Sequence, residues 1–232
     1  MIEVLVIDLD GPILDGQLKH YLCYSEILKA HGHAPLSIDK YWSLKRQRCQ
    51  LLEQLELSGA GELRSEFLVE WRSRIEQRKY LAADRLQPGA SRRLGEWRDE
   101  GLLLVLATMR NDPETLAWQL DGLGLSPMLS RIVVSGTEGG ADAKWKAVNV
   151  AMPGRAPESV LWIGDTEADI QAARALGVRV LAVSCGTRTA EFLRNYNPDG
   201  IVADLNSVPA IDVVESLFPV TDPRPTEGSG TG

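Results

Sequence analysis

The sequence predicts an α/β protein, a doubly wound parallel sheet with an all-helical unit inserted after the first strand. Three observations predict it. Short runs rich in β-branched residues alternate with longer amphipathic stretches, the order expected of a parallel sheet wrapped by helices. Several of the short runs are apolar at consecutive positions, as strands are when helices cover both faces. The first gap between strands is too long for a loop and carries only helical periodicity.

Taken in order, the first strand is read at residues 4–7, a Val-Leu-Val-Ile run that leads directly into Asp8. From residue 16 to residue 87 no convincing strand follows. One helical segment starts near residues 37–39 and carries Tyr41, Leu44, Leu51, Leu52 and Leu55. A second carries Leu63, Phe67, Trp71 and Ile75 at spacings of four, one stripe of a helix. Ser58-Gly59-Ala60-Gly61 separates the two. The core is therefore expected at 1–15 and 88–217, with residues 16–87 forming the inserted helical domain.

Further strands are read at 102–107, 132–134, 160–163 and 179–183, with a weaker one at 201–202. Helices are read between them at 113–123, 144–151, 167–176 and 190–196, and a last one near 209–217. Gly177 stands where a left-handed residue closes a helix. Residues 218–232 are rich in Pro, Gly, Thr and Ser and read as a disordered tail.

Composition narrows the function. The chain has 232 residues, 44% hydrophobic and 25% charged, ordinary globular usage that excludes general disorder. A chain of this length buries about 70% of its unfolded surface and needs no disulfide staples. Acids outnumber bases 32 to 25, for a net charge of −7, which argues against coating nucleic acid or an anionic membrane. No run approaches 18 apolar residues, so no membrane span is expected. The three cysteines, Cys23, Cys49 and Cys185, are scattered and lack metal-site spacing. With Asp8 and Asp10 interrupting the N-terminal apolar stretch, no signal peptide fits, and a cytoplasmic location is expected.

Chemistry gathers at strand ends. The first strand runs into Asp8-Leu9-Asp10-Gly11, and the fourth into Gly164-Asp165-Thr166-Glu167-Ala168-Asp169. Open α/β sheets place their ligands at the carboxyl ends of their strands. Any one of these acids could be a helix cap. Both clusters at strand ends in one chain are better read together. Two carboxylates about 4 Å apart repel by about 4 kcal/mol at an effective dielectric of 20, so the set calls for a cation. Oxygen-only ligands suit Mg²⁺. The strand at 102–107 ends in Thr108-Met109-Arg110-Asn111, where a hydroxyl and backbone N–H groups could hold phosphate oxygens. Lys144 and Lys146 open a later helix and could offset negative charge there.

The order Asp8-x-Asp10-Gly11, Thr108, a lysine, then Gly164-Asp165-x-x-x-Asp169 resembles the haloacid dehalogenase-like superfamily. Its phosphoglycolate phosphatase-like branch, with a helical cap between the first two motifs, is the nearest in pattern. Leu86-Gln87-Pro88-Gly89 looks like that group's return from cap to core. The resemblance implies a Rossmann-like core and a Mg²⁺-dependent phosphatase acting on a small phosphorylated metabolite. It implies Asp8 as the nucleophile that forms an aspartyl-phosphate and Asp10 as general acid and base. Asp8, Asp10, Asp165 and Asp169 would serve the metal, and Thr108 and Lys144 the phosphoryl group. Leu9, Met109 and Arg110 fall in the phosphate- and substrate-binding set. Dehalogenases of similar pattern lack the second acid, because halide leaves without a proton, so Asp10 favours phosphate ester hydrolysis.

Two departures stand out. Pro12 follows Asp-Gly where the family has Thr or Val, and the motif lysine lacks its usual Pro. Lys144 is preferred over Lys146 because Ala147 and Val148 supply the apolar face expected after it. The basic turn Lys45-Arg46-x-Arg48, with Lys19 and His20, offers either a substrate-facing surface or side chains lying over the helical core. A sugar-phosphate mutase and a phosphate-accepting signalling module are the alternatives. The long insertion weighs against the second.

Overall fold

The computed structural model describes residues 1–219. The chain begins with β1 (Val4–Ile7), whose four side chains are all buried, and a two-residue strand β2 (Leu14–Asp15). Helices α1 (Gln17–Ala30), α2 (Ile38–Arg46), α3 (Leu51–Glu56), α4 (Arg64–Arg74) and α5 (Arg78–Leu81) follow. Then come β3 (Arg85–Leu86), α6 (Ala90–Asp99), β4 (Leu103–Thr108), α7 (Pro113–Gly122), β5 (Arg131–Val134) and α8 (Gly140–Ala151). The remainder is β6 (Val160–Gly164), α9 (Glu167–Leu176), β7 (Arg179–Val183), α10 (Ala190–Arg194), β8 (Gly200–Val202) and α11 (Ile211–Leu217).

Six strands form one parallel sheet in the order β5-β4-β1-β6-β7-β8. The first strand of the chain is thus central, flanked by β4 and β6, and the order reverses beside it. Each face carries its own apolar layer. Leu5, Ile7, Leu106, Ile163 and Trp97 lie in one, and Val4, Val6, Trp162, Val148 and Ile170 in the other. Alternate residues of β1 serve opposite layers, which is why its run is continuously apolar. Gly177 closes α9 at φ 70°.

The helical insertion has a separate apolar cluster. Tyr24, Ile27 and Leu28 of α1 pack with Tyr41 of α2, Leu55 of α3 and Phe67 of α4. Tyr24 and Tyr41 stack with centroids 4.3 Å apart. The second stripe read from the sequence forms α4. The segment read through Tyr41 to Leu55 is two helices, because the chain turns at Arg48, which takes φ 63°.

Other boundaries differ for local reasons. The helix read from residue 144 begins at Gly140, started by Gly139 at φ 82°. The strand read at 102–107 ends one residue later, since Thr108 pairs with Val134. The region read as wholly helical contains β3, whose Leu86 pairs antiparallel with Leu14 and ties both roots of the insertion together. The tail expected at 218–232 lies outside the described residues except for its start. There Phe218 packs against the core, and its carbonyl accepts from Arg179 Nε. Among the described residues no helix is long and apolar enough to cross a membrane.

Candidate active site

β1 places the first two acids. The Asp8 N–H donates to Ile163 O at 2.9 Å, so the sheet ladder continues one residue past β1 and aims Asp8 at the carboxyl edge. The turn after it folds tightly: Ile13 and Leu14 N–H groups donate to Leu9 O. Leu9 is fully buried with its side chain in the core, so that side chain is not offered to a ligand.

β6 and α9 supply the partners. Asp8, Asp165 and Asp169 are buried, with a carboxylate oxygen of each within 4.8 Å of the others. Lys144, from α8, is buried against them. Its Nζ donates to Asp8 Oδ1 at 2.8 Å and to Asp169 Oδ1 at 2.7 Å. Lys146 instead points outward and pairs with Asp142 in its own helix. Of the two lysines, Lys144 is the one at the cluster.

The electrostatics follow from burial. Desolvation, opposed by Lys144 and reinforced by Asp169 and Asp165, holds Asp8 well above the usual carboxylate range. Burial and the charge of Asp169 push Asp165 up to about 7. Burial works against the charge of Lys144, but Asp169 and Asp8 outweigh it and hold the ammonium protonated. One lysine does not neutralise three buried carboxylates. The set is short of positive charge.

The donor set fits a hard cation. Asp165 Oδ1 is buried and has no hydrogen-bond partner among the described residues, while Oδ2 accepts from the Thr187 N–H and hydroxyl. Asp169 differs: Oδ1 takes Lys144 and Trp162 Nε1, and Oδ2 takes the Thr166 N–H and hydroxyl. Both its oxygens are engaged, in a capping box at the start of α9, so it braces the cluster and has less to offer an ion directly. A Cβ on Gly11 would lie 2.2 Å from Asp165 Cγ, so this close approach requires glycine at a φ of 109°.

A cavity of about 240 Å³ opens beside Asp8 and Asp10, lined also by Thr108, Met109, Arg110 and Trp71. Thr108 is 1% exposed, its hydroxyl accepting from the Arg110 N–H at 3.4 Å. Arg110 is buried and clamps Asp10 with two donors, Nε to Oδ2 at 2.7 Å and Nη2 to Oδ1 at 2.8 Å. Its guanidinium therefore meets the second aspartate in this conformation. Lys19, from α1, donates to Asp10 at 2.6 Å and to Asp84 at 2.8 Å. Burial opposes ionisation of Asp10, but Arg110 and Lys19 overcome it and hold its carboxyl far below the usual range.

The roles of Lys19 and Asp84 here, and of Thr187 at Asp165, have no sequence motif behind them. Only the pairing of Lys19 with His20 just past the first acids hinted at the first. His20 stacks on Trp71 with centroids 5.4 Å apart and lies 6.0 Å from the Trp42 ring, its Nδ1 buried and without a partner among the described residues. The basic turn divides. Arg46 and Arg48 reach across to the core, at Ser184 O and Glu167, while Lys45 sits over the Trp71 ring at 5.4 Å.

A doubly wound sheet bearing paired acids, a buried lysine and a strand-end threonine at its carboxyl edge, under a helical insertion, defines a class of hydrolytic enzyme. The chain belongs to the haloacid dehalogenase-like hydrolases, whose family model matches residues 2–177. Among its relatives is a phosphoglycolate phosphatase of Mesorhizobium japonicum, 23% identical over 231 residues, covering 93% of this chain and 96% of that one. Another, from Rhodobacter capsulatus, is 26% identical over 193 residues, covering 81% and 87%. A haloacid dehalogenase-like family hydrolase of Streptococcus pneumoniae has the same fold, with a TM-score of 0.70 at 24% identity over 88% of this chain and 95% of that one.

Proposed function

We propose that this protein is a Mg²⁺-dependent phosphatase that hydrolyses a small phosphorylated metabolite through an aspartyl-phosphate on Asp8. The observation that carries the reading is the meeting of Asp8, Asp165 and Asp169 around Lys144 at the mouth of a small cavity. The phosphoglycolate phosphatases among its relatives support a small phosphorylated substrate.

Asp8 and Asp165, with the Asp10 carbonyl, would hold the cation, and Asp169 would brace them. When bound, Mg²⁺ supplies charge that neutralises the carboxylates and the phosphoryl oxygens. The Asp8 oxygen not bonded to Lys144 attacks phosphorus, the bond from phosphorus to the substrate oxygen breaks as the phosphoryl group passes to Asp8, and the substrate leaves as the alcohol with a proton from Asp10. Lys144 and Thr108 hold phosphoryl oxygens through the transfer. Phosphoryl transfer is largely positioning and charge stabilisation, so a pre-assembled cationic cradle is what it requires.

Asp10 serves both halves. The second half-reaction needs a base for water, and the Lys19–Arg110 pair keeps the carboxylate ionised for that. The first needs a proton on the leaving oxygen, which Asp10 can give only after it leaves this pair and takes up a proton from solvent before closure; having given it, Asp10 is again the base when water attacks. The helical domain excludes water during transfer. Its Glu76 accepts from the Asn111 and Asp112 N–H groups of the core, spanning one rim of the cavity.

The test is a screen of phosphorylated metabolites with Mg²⁺, ranked by kcat/KM, beside the Asp8→Asn variant. Release of inorganic phosphate that Asp8→Asn abolishes in a folded protein is expected. Near-normal rates in that variant would overturn the nucleophile assignment. Phosphate moving between hydroxyls without release would indicate a mutase instead.

A further inference from the structure

We propose that the loop 184–189 couples closure of the helical domain to occupation of the cation site, with Thr187 as the positioning residue where the two meet. The inference rests on the reading of Asp165 as a cation ligand.

One side of the loop controls Asp165. Its carboxylate is 0% exposed and sits in a slot between two glycines. A Cβ at Gly11 would lie 2.2 Å from Asp165 Cγ, and one at Gly186 2.2 Å from Oδ2. Within that slot Thr187 decides the orientation. Its N–H and its hydroxyl, the latter at 2.8 Å, both donate to Oδ2. Oδ1 is left buried and, among the described residues, without a partner. Hydrogen bonds of this kind, one shell out from an ion, fix the ligand before the ion arrives and are worth about 10–100-fold in affinity.

The other side of the same loop is held by the helical domain. Arg46, the last residue of α2, donates from Nη2 to Ser184 O and Arg188 O, and its own carbonyl accepts from the Thr189 N–H at 3.1 Å. Arg188 grips Glu167 with two donors at 2.8 and 3.1 Å, and Arg48 reaches the same carboxylate at 2.7 Å. Arg48 is half exposed, so its ion pair adds little on its own. The main-chain contacts of Arg46 carry the connection. They fix the backbone on both sides of Thr187, and therefore the N–H that aims Asp165.

Linkage makes the effect reciprocal. A closed helical domain holds the loop and raises cation affinity, and a bound cation favours the closed domain by the same factor. The device presents its tightest cation site while the helical domain is closed.

The test measures ion binding directly on the full chain, with Mn²⁺ followed by electron paramagnetic resonance of the free ion. Wild type is compared with Thr187→Val, Thr187→Ser and Arg46→Met. Thr187→Val should weaken binding by about 10–100-fold, while Thr187→Ser, which keeps both donors, stays within about 3-fold. Arg46→Met, which touches no ligand, should weaken binding by about 5-fold or more. Mn²⁺ should also slow amide exchange at residues 45–49 in wild type. Unchanged affinity in Thr187→Val, or in Arg46→Met, overturns the proposal. If Thr187→Val fails to fold, Arg46→Met and Thr187→Ser decide it. Absence of Mn²⁺ binding to wild type would overturn the cation reading itself, and this inference with it.

Discussion

Lys144 is the residue whose removal the structure makes most consequential. It is 1% exposed and joined to Asp8 and Asp169 at 2.8 and 2.7 Å. At an effective dielectric of 20 each pair attracts by about 6 kcal/mol, most of it offset by the cost of burying the charges. Lys144→Met keeps the bulk and removes the charge. Three carboxylates then remain with oxygens within 4.8 Å of one another, repelling by about 3.5 kcal/mol or more per pair if all are ionised. Asp8, already held above its usual range, would take up a proton and relieve part of this.

Breaking a buried pair from one side costs about 3–5 kcal/mol, a large share of the 5–15 kcal/mol typical of a folded protein. For a chain of this size that lowers the melting temperature by about 6–20 °C. Thermal melts at pH 7 in EDTA read it. Adding Mg²⁺ should recover part of the loss, since a dication replaces the missing ammonium. A Lys144→Met protein that melts within about 2 °C of wild type in EDTA would refute the reasoning.

Asp10→Asn should slow the first transfer, read as leaving-group release in a single turnover, by about 10²–10⁴-fold for an alkyl phosphate and much less for p-nitrophenyl phosphate, because the nitrophenolate leaves without a proton, while steady-state turnover falls on both as water loses its base. Equal losses of the single-turnover release rate on both substrates would remove Asp10 from the acid role. For His20, burial, then Lys45 and Lys19, depress the imidazole well below its ordinary value. Below pH 6.5 the unfolded chain binds a proton there that the folded one does not, so this contribution to stability is full above 6.5 and lost as the pH falls. Denaturant titrations of wild type and His20→Gln should therefore converge as the pH drops from 7 to 5, and parallel curves would exclude the effect.

Much of the fold was legible because its signals are local. A continuously apolar run such as Val4–Ile7 marks a strand covered on both faces, and the acids that follow it announce the sheet edge. Near neighbours also distinguish Lys144 from Lys146. Its helix starts four residues earlier than read, yet Lys144 faces the sheet beside Val148 while Lys146 faces solvent. The short pairing of Leu14 with Leu86 is not legible in the sequence, because two residues carry no periodicity.

By itself the sequence determined which residue types stand at which strand ends, hence the fold class and the order of acids, threonine and lysine along the chain. The tertiary structure alone decided how they are held: Arg110 and Lys19 on Asp10, Asp84 beneath them, Thr187 on Asp165. Chain periodicity encodes a residue's direction from its own backbone. Which distant donor meets a buried carboxylate depends instead on how sheet, insertion and loops pack, and the low dielectric there makes that meeting decisive.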